Sequence, residues 1–134
     1  MSVHDQTELF DSLLTNLRAA LEKWYSGDTS GYSGLYADEF TYFDPFGRDR
    51  LHNPAELRER HAPLDGTLDI PRFELVDPTL QMFGETAVLS FHLRTFDHDG
   101  PIGPTWNTTE VYRPIDGAWR IVHGHWSVMA EDEA

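Results

Sequence analysis

The apolar residues of this chain change their period at Leu68. Before it they recur at three- and four-residue spacing, the mark of helices with one buried stripe; after it they alternate, the mark of strands with one buried face. Helices first and long antiparallel runs afterwards restrict the fold to α+β, with the helices packed on one face of a curved sheet. Residues 5–26 form the main helix, carried by Phe10, Leu13, Leu14, Leu17, Leu21 and Trp24. Asp5 with Glu8 reads as a capping box and Gly27 as the stop. A short helix is expected around Tyr32–Tyr36, then an aromatic strand over Glu39–Asp44 that Pro45 closes, then a helix from Asn53 and Pro54 to about His61. The predicted strands of the second half are Ile70–Gln81, Thr86–Phe96, Thr105–Arg113 and Trp119–Met129. Pro71 and Pro78 assign the first of these to a sheet edge or a bulge.

Composition sets the function classes aside one by one. With 134 residues the chain suits one domain, a core over about residues 5–129 and an acidic tail over 130–134. Ten Lys+Arg against 23 Asp+Glu give a net charge of −13, which argues against a nucleic-acid partner, since that needs a basic stripe. The chain has no cysteine, so disulfides, thiolate nucleophiles and Cys-based metal sites are excluded. No apolar run approaches the roughly 20 residues of a membrane span and no signal-peptide pattern opens the chain, so a cytoplasmic, soluble protein is expected.

Chemistry-bearing residues concentrate in "TWNTTEVYRPIDGAWRIVHGHWS". His123 and His125 share one strand face and could ligate a metal, but no third ligand is fixed by spacing, and none is assigned. Glu110 lies between Thr109 and Val111 in a strand of apolar and neutral polar groups. In a dry cavity such a carboxylate has a raised pKa and serves as a general acid or base near neutral pH. Its face depends on the hairpin. A two-residue Asp116-Gly117 turn puts Glu110 in phase with His123, whereas a three-residue Ile115–Gly117 loop aligns it with Val122, Gly124 and Trp126. Both registers fit the residues. Ala87, Leu89, Phe91 and Leu93 make an apolar face that belongs either under the helices, exposing His92, or against another subunit, turning His92 inward. Asp44 ends an aromatic strand and is either a turn residue or a base; Asp97-His98-Asp99-Gly100 reads as a turn rather than a calcium loop.

The order of elements, with "ALEKWYSGD", "FTYFDP" and the closing Asp-Gly-x-Trp…Val-His-x-His-x-Ser run, resembles the nuclear transport factor two-like superfamily, closest to SnoaL-like proteins and the association (hub) domain of calcium/calmodulin-dependent protein kinase II. The resemblance covers about Thr7 to Val128. It implies a cystatin-like cone: a long helix and two shorter ones cupped by a strongly bent mixed sheet that opens onto a pocket. It also implies a homodimer through the sheet's outer face, with Phe91, His123 and His125 near it, and it favours the three-residue hairpin register. The hub's basic pocket set falls on Arg58, His92, Glu110 and Trp126, a departure that disfavours anionic ligands. Enzymes of the superfamily work by acid–base chemistry without a metal or other cofactor. The implied function is binding of a small, largely apolar organic ligand, with isomerase, cyclase or dehydratase chemistry on it. Glu110 or Asp44 would be the base and His92 its partner; Trp106, Trp126, Phe43 and Tyr112 would be walls and Arg58 a polar contact. The alternative is a non-catalytic association or ligand-sensing module.

Overall fold

The computed structural model describes residues 3–130; residues 131–134 of the expected acidic tail lie outside them. Helix α1 (Val3–Tyr25) begins two residues before the expected Asp5, which sits in its first turn. Its stripe is deeper than the sequence spacing alone indicated. Leu13, Leu14, Leu17 and Leu21 are buried together with Leu9, Ala20 and Tyr25, while Phe10 and Trp24 pack at the margin. Burial of each such leucine contributes about 1.5–3 kcal/mol, and this stripe rather than helix propensity holds α1 on the sheet. The helix stops at Gly27, whose φ of +107° only glycine adopts freely. Its carbonyl then accepts from Gly66 N at 2.8 Å, tying the end of α1 to the segment that precedes the sheet.

One turn, α2 (Ser30–Ser33), leads into β1 (Tyr36–Phe43), so Tyr36 opens a strand rather than ending a helix. Helix α3 (Pro54–His61) has the cap the sequence indicates: Asn53 Oδ1 accepts from Glu56 N at 2.9 Å with Pro54 at the first position. A 3-10 turn, η1 (Ala62–Leu64), follows. Then come β2 (Arg72–Phe83), β3 (Thr86–Asp97), β4 (Gly100–Ile115) and β5 (Ala118–Val128). The sheet order is β1-β5-β4-β3-β2, with β1 parallel to β5 and the other neighbours antiparallel. β2 is an edge strand that begins just after Pro71 and breaks register between Val76 and Thr79, around Pro78, which agrees with the expected edge or bulge. Further irregularities at Leu93/Thr95 and Val111/Tyr112 bend the sheet around the helices, as bulges do.

The last of these bulges resolves the hairpin register. The turn is the two-residue one: Ile115 pairs with Ala118 across Asp116 (φ 51°) and Gly117 (φ 83°), both left-handed. On that count alone Glu110 would share a face with His123. Instead the pairing steps from Tyr112↔Ile121 to Val111↔His123, leaving Val122 as an extra residue on β5. The phase shifts by one, and Glu110 faces Gly124. The expected three-residue loop is thus corrected, while the face it implied for Glu110 is reached by a bulge.

β3 settles the second choice. Ala87, Leu89, Phe91 and Leu93 are buried against the helices, and Phe91 stacks edge-on to Trp126 at 5.9 Å. The placement of Phe91 near an outer interface is therefore corrected: it is a core residue. The simpler reading, with His92 outward, is the observed one.

Candidate functional site

The inner face of the sheet and the helices enclose a cavity of about 260 Å³. Leu21 and Trp24 of α1, Tyr32 of α2, Tyr42 of β1 and His61 of α3 form one side. Leu64, Leu68 and Ile70 close it from the connection to β2, and Trp106 and Trp126 from the sheet. Phe46 stands at its edge, 54% exposed and packed on Trp106 at 5.8 Å. No charged side chain lines it among the described residues. The volume lies just below the range of about 300–1,000 Å³ usual for small-molecule pockets, which fits a compact apolar ligand.

Among the polar groups on these walls, two stand out. The Tyr32 hydroxyl donates to Glu110 Oε2 and accepts from Trp126 Nε1 at 3.1 Å. Glu110 itself is fully buried one hydroxyl behind the wall, and Tyr112 donates to its Oε1 at 3.0 Å. Burial pushes the Glu110 carboxyl up to about 7, although both tyrosine donors favour its ionised form. Burial, reinforced by the Glu110 charge, holds the Tyr32 hydroxyl well above its usual value. Tyr32 therefore stays a phenol, while the carboxyl behind it gains or loses a proton near neutrality.

The other is His61. Its ring lies 6.5 Å from Tyr32, 6.1 Å from Tyr42 and 4.6 Å from Trp24 between centroids. Its Nδ1 is buried without a hydrogen-bond partner. Burial pushes it down to about 4, against the pull of Asp44, so it is a neutral imidazole at neutral pH. Sequence reading passed over it because "PAELRERH" looks like a solvated, charged helix. The available signal was spacing: Leu57 and His61 are four apart and share the buried face of α3.

The expected site residues do not converge on one place. Trp106 and Trp126 are cavity walls, as expected. Tyr112 is not a wall but a support of Glu110. Glu110 is corrected from a cavity-lining carboxylate to one fully buried behind the Tyr32 hydroxyl. Asp44 is buried in an ion pair with Arg60 at 2.8 Å, and its Oδ1 also accepts from Phe46 N at 2.9 Å. It builds the turn below the cavity instead of facing it. Arg58 is exposed in a separate polar groove with Asp38, Asp116 and Arg120, so its assignment as a pocket contact is corrected. His92 is on the outer face, where it donates to Asn107 Oδ1 at 2.7 Å, and cannot be the partner of Glu110. Phe43 is also outside, stacked on His125 at 5.4 Å and His123 at 6.3 Å. Strand alternation is the common cause: residues adjacent to inward Tyr42 and Phe91 must point outward.

That outer face has its own character. Its rows Val88–Val111–His123, Ser90–Thr109–His125 and His92–Asn107–Ser127 carry no Asp, Glu, Lys or Arg, in a chain where a quarter of the residues are charged. Among the described residues no group of three or more His, Cys, Asp or Glu is placed to hold a metal, and no helix is long and apolar enough to cross a membrane.

A long helix and two short ones on a curved mixed sheet, enclosing an apolar cavity, make up the nuclear transport factor two-like α+β fold. Within it, the chain belongs to the SnoaL-like domain family, whose model matches residues 13–131. Among solved structures it is similar to a proposed ketosteroid isomerase from Parabacteroides distasonis, at 27% identity and TM-score 0.73, over 87% of this chain and 85% of that one. It is also similar to an NTF2-like protein of unknown function from Pseudomonas putida, at 21% identity and TM-score 0.74, over 95% and 91% of the two chains. A third likeness is to the association domain of C. elegans CaMKII, at 18% identity and TM-score 0.72, over 92% and 98%. A comparison with curated proteins finds no match.

Proposed function

We propose that the protein binds a small, uncharged, largely apolar organic molecule in the inner cavity and moves a proton on it, in an isomerisation, cyclisation or dehydration. The observation that carries this reading is the Tyr32 hydroxyl. It stands on an apolar wall and is hydrogen-bonded to a fully buried carboxyl that titrates near 7. Tyr32 is the group that meets a carbonyl or hydroxyl of the ligand. Glu110, behind it, supplies or takes up the proton, and its pKa suits that exchange at neutral pH. Neutral His61 accepts a hydrogen bond or a proton from the ligand on the same wall. With no cation on the walls, a carboxylate ligand would be desolvated without compensation, whereas a phenol or ketone would not.

Titration of the Glu110 carboxyl by carbon-13 NMR tests this reading, with a midpoint near 7 expected and one near the ordinary 4.5 sinking it. Calorimetry with 2-naphthol and 2-naphthoate gives a second check. Only the phenol should bind, and Tyr32→Phe should abolish the difference.

A second reading follows from the outer face. We infer that two copies of this cytoplasmic chain meet there, as a homodimer. A chain of net charge −13 repels its own copies over most of its surface, and these uncharged rows are where that repulsion is least. Similarity to CaMKII association domains supports assembly through this fold. If the cavity binds ligands without turning them over, the protein is a ligand-sensing association module instead. Wild-type exchange of ligand protons for solvent deuterium, absent in Tyr32→Phe, separates the two.

A further inference from the structure

Gly124 has no positive φ, so its backbone gives no reason for glycine. Space does. A Cβ at that position would collide with the Tyr36 hydroxyl oxygen and stand 3.2 Å from both Tyr36 Cζ and Tyr42 Cδ2. The hydroxyl of Tyr36 thus fills the place of the missing side chain. It is held there by ring contacts of 4.6 Å to Phe40, 5.7 Å to Tyr32 and 5.9 Å to Tyr42.

That place adjoins Glu110. Gly124 is its cross-strand partner on the inner face, and opposed Cβ positions lie about 4.5–5.5 Å apart. Yet the Tyr36 hydroxyl is buried with no partner in hydrogen-bond geometry, although the Tyr32 hydroxyl lies near enough to favour its ionised form. An unpartnered buried hydroxyl is costly, and native structures rarely carry one without a use. A carboxylate has about four acceptor sites; Tyr32 and Tyr112 occupy one on each oxygen of Glu110.

We propose that Tyr36 is a positioning residue for Glu110: its hydroxyl, wedged over Gly124, is the reserve donor that turns to the carboxylate when Glu110 gives up its proton. The groups facing Glu110 are tyrosines 32, 36, 42 and 112 from α2, β1 and β4, with Leu89 opposite on β3. The formal charges acting nearby are Asp44, which is felt at Tyr36 and Tyr42, and its partner Arg60; neutral His61 lies beyond Tyr32. Among these tyrosines Tyr36 is the one whose buried hydroxyl has no partner among the described residues, so the ionised state draws on it; the unpartnered Nδ1 of His61 lies on the far side of Tyr32. The inference rests on the reading of Glu110 as the proton-holding group.

The experiment is the carbon-13 titration of Glu110 in the wild type, Tyr36→Phe and Gly124→Ala. Loss of a donor to the ionised form raises the midpoint, here by about one unit, a tenfold gain in proton affinity. Gly124→Ala moves the midpoint the same way by displacing the hydroxyl. An unchanged or lower midpoint in Tyr36→Phe overturns the proposal, even if Gly124→Ala fails to fold. A purely structural tyrosine would lower stability at pH 5, whereas removing an idle hydroxyl leaves it unchanged or higher; a clear loss at pH 5 therefore also counts against the proposal. A wild-type midpoint near 4.5 sinks the proton-transfer reading itself, and the two failures are thereby distinct.

Discussion

The two faces of the sheet are made from the same strands and obey opposite rules. Inward, Leu89, Leu93 and Ile121 are fully buried and the one carboxylate among them, Glu110, is sealed by tyrosines. Outward, the central rows of the same strands show serine, threonine, asparagine, valine and histidine, mostly half-buried and without formal charge. The inner face spends its polarity on one titratable group in a dry setting, where a proton is worth most. The outer face keeps charge out of its central rows and confines it to the margins, at Glu74, Arg94, Arg113 and Arg120, which suits contact with another copy.

The largest expected effect comes from carrying a charge to the wrong face. Phe91→Asp places a carboxylate among Leu89, Leu93 and Trp126 with no cation near it. An uncompensated buried charge of this kind costs about 3–5 kcal/mol, a large part of a small domain's stability. The variant should be unfolded or nearly so by circular dichroism at pH 7. A well-folded monomer would instead return Phe91 to the outer face and reverse the comparison.

How much of this could be read beforehand follows from the same alternation. The change of period at Leu68, the α1 stripe and the Asn53 cap are local patterns, and each was visible in the residues that make it. The bulge at Val122 was not, because it arises from the way β4 and β5 settle onto a bent sheet rather than from any breaker residue. One unpredicted residue decided which face Glu110 occupies. Tyr32 and Tyr36 were hidden for another reason: the segment "GDTSGYSGLY" reads as a turn and a short helix, and nothing in it marks Tyr32 as a cavity wall or Tyr36 as a neighbour of Glu110. Residues that share a strand were placed correctly only relative to one another, so Phe43 and His92 went to the cavity when they belong outside.

Next in size are two opposed pH dependences, both from the inner side. The Glu110 carboxyl is raised from 4.5 to about 7, so the folded state keeps a proton the unfolded state has lost. Its contribution to stability falls as pH rises from about 4.5 to about 7, by about 3 kcal/mol in all. His61 is lowered from 6.5 to about 4, so the unfolded state binds the proton first and stability falls as pH drops through that window, by about 2–3 kcal/mol. Between about 4.5 and 6.5 the slopes oppose and the wild type should be nearly flat. Glu110→Gln should expose the histidine slope, gaining stability from pH 4 to 6.5, and His61→Phe the carboxyl slope, losing it from pH 4.5 to 7. Urea titrations across pH measure both. A Glu110→Gln profile with no rise would show that His61 is not desolvated by the cavity wall.

A smaller effect concerns the cavity mouth. Phe46 is mostly exposed and touches the site through Trp106, so Phe46→Ala removes a margin of the wall without opening the core. It should weaken 2-naphthol binding about threefold to tenfold, in line with roughly 1 kcal/mol of lost contact, and leave the melting temperature within a degree or two. Trp106→Ala should weaken it more. Equal losses would mean that the ligand sits at the mouth rather than among the tryptophans.

The smallest change in the stability of the protomer, and the most telling, belongs to the outer face. Val111 lies at its middle, between Val88 and His123. Val111→Asp puts a carboxylate on a half-exposed position where water can still reach it, so the protomer should lose no more than about 1 kcal/mol. Two such carboxylates brought together in a dimer have no partner, and His123, with its pKa held down by burial and by His125, stays neutral and cannot supply one at pH 7. Sedimentation at pH 7 should therefore show the wild type as a pair and the variant as a folded monomer that still binds 2-naphthol. At acid pH, once His123 takes up its proton, the variant should regain some self-association while the wild type loses it. If both sediment alike at every pH, the uncharged rows are not where copies of this chain meet, and the absence of charge there needs a different partner to explain it.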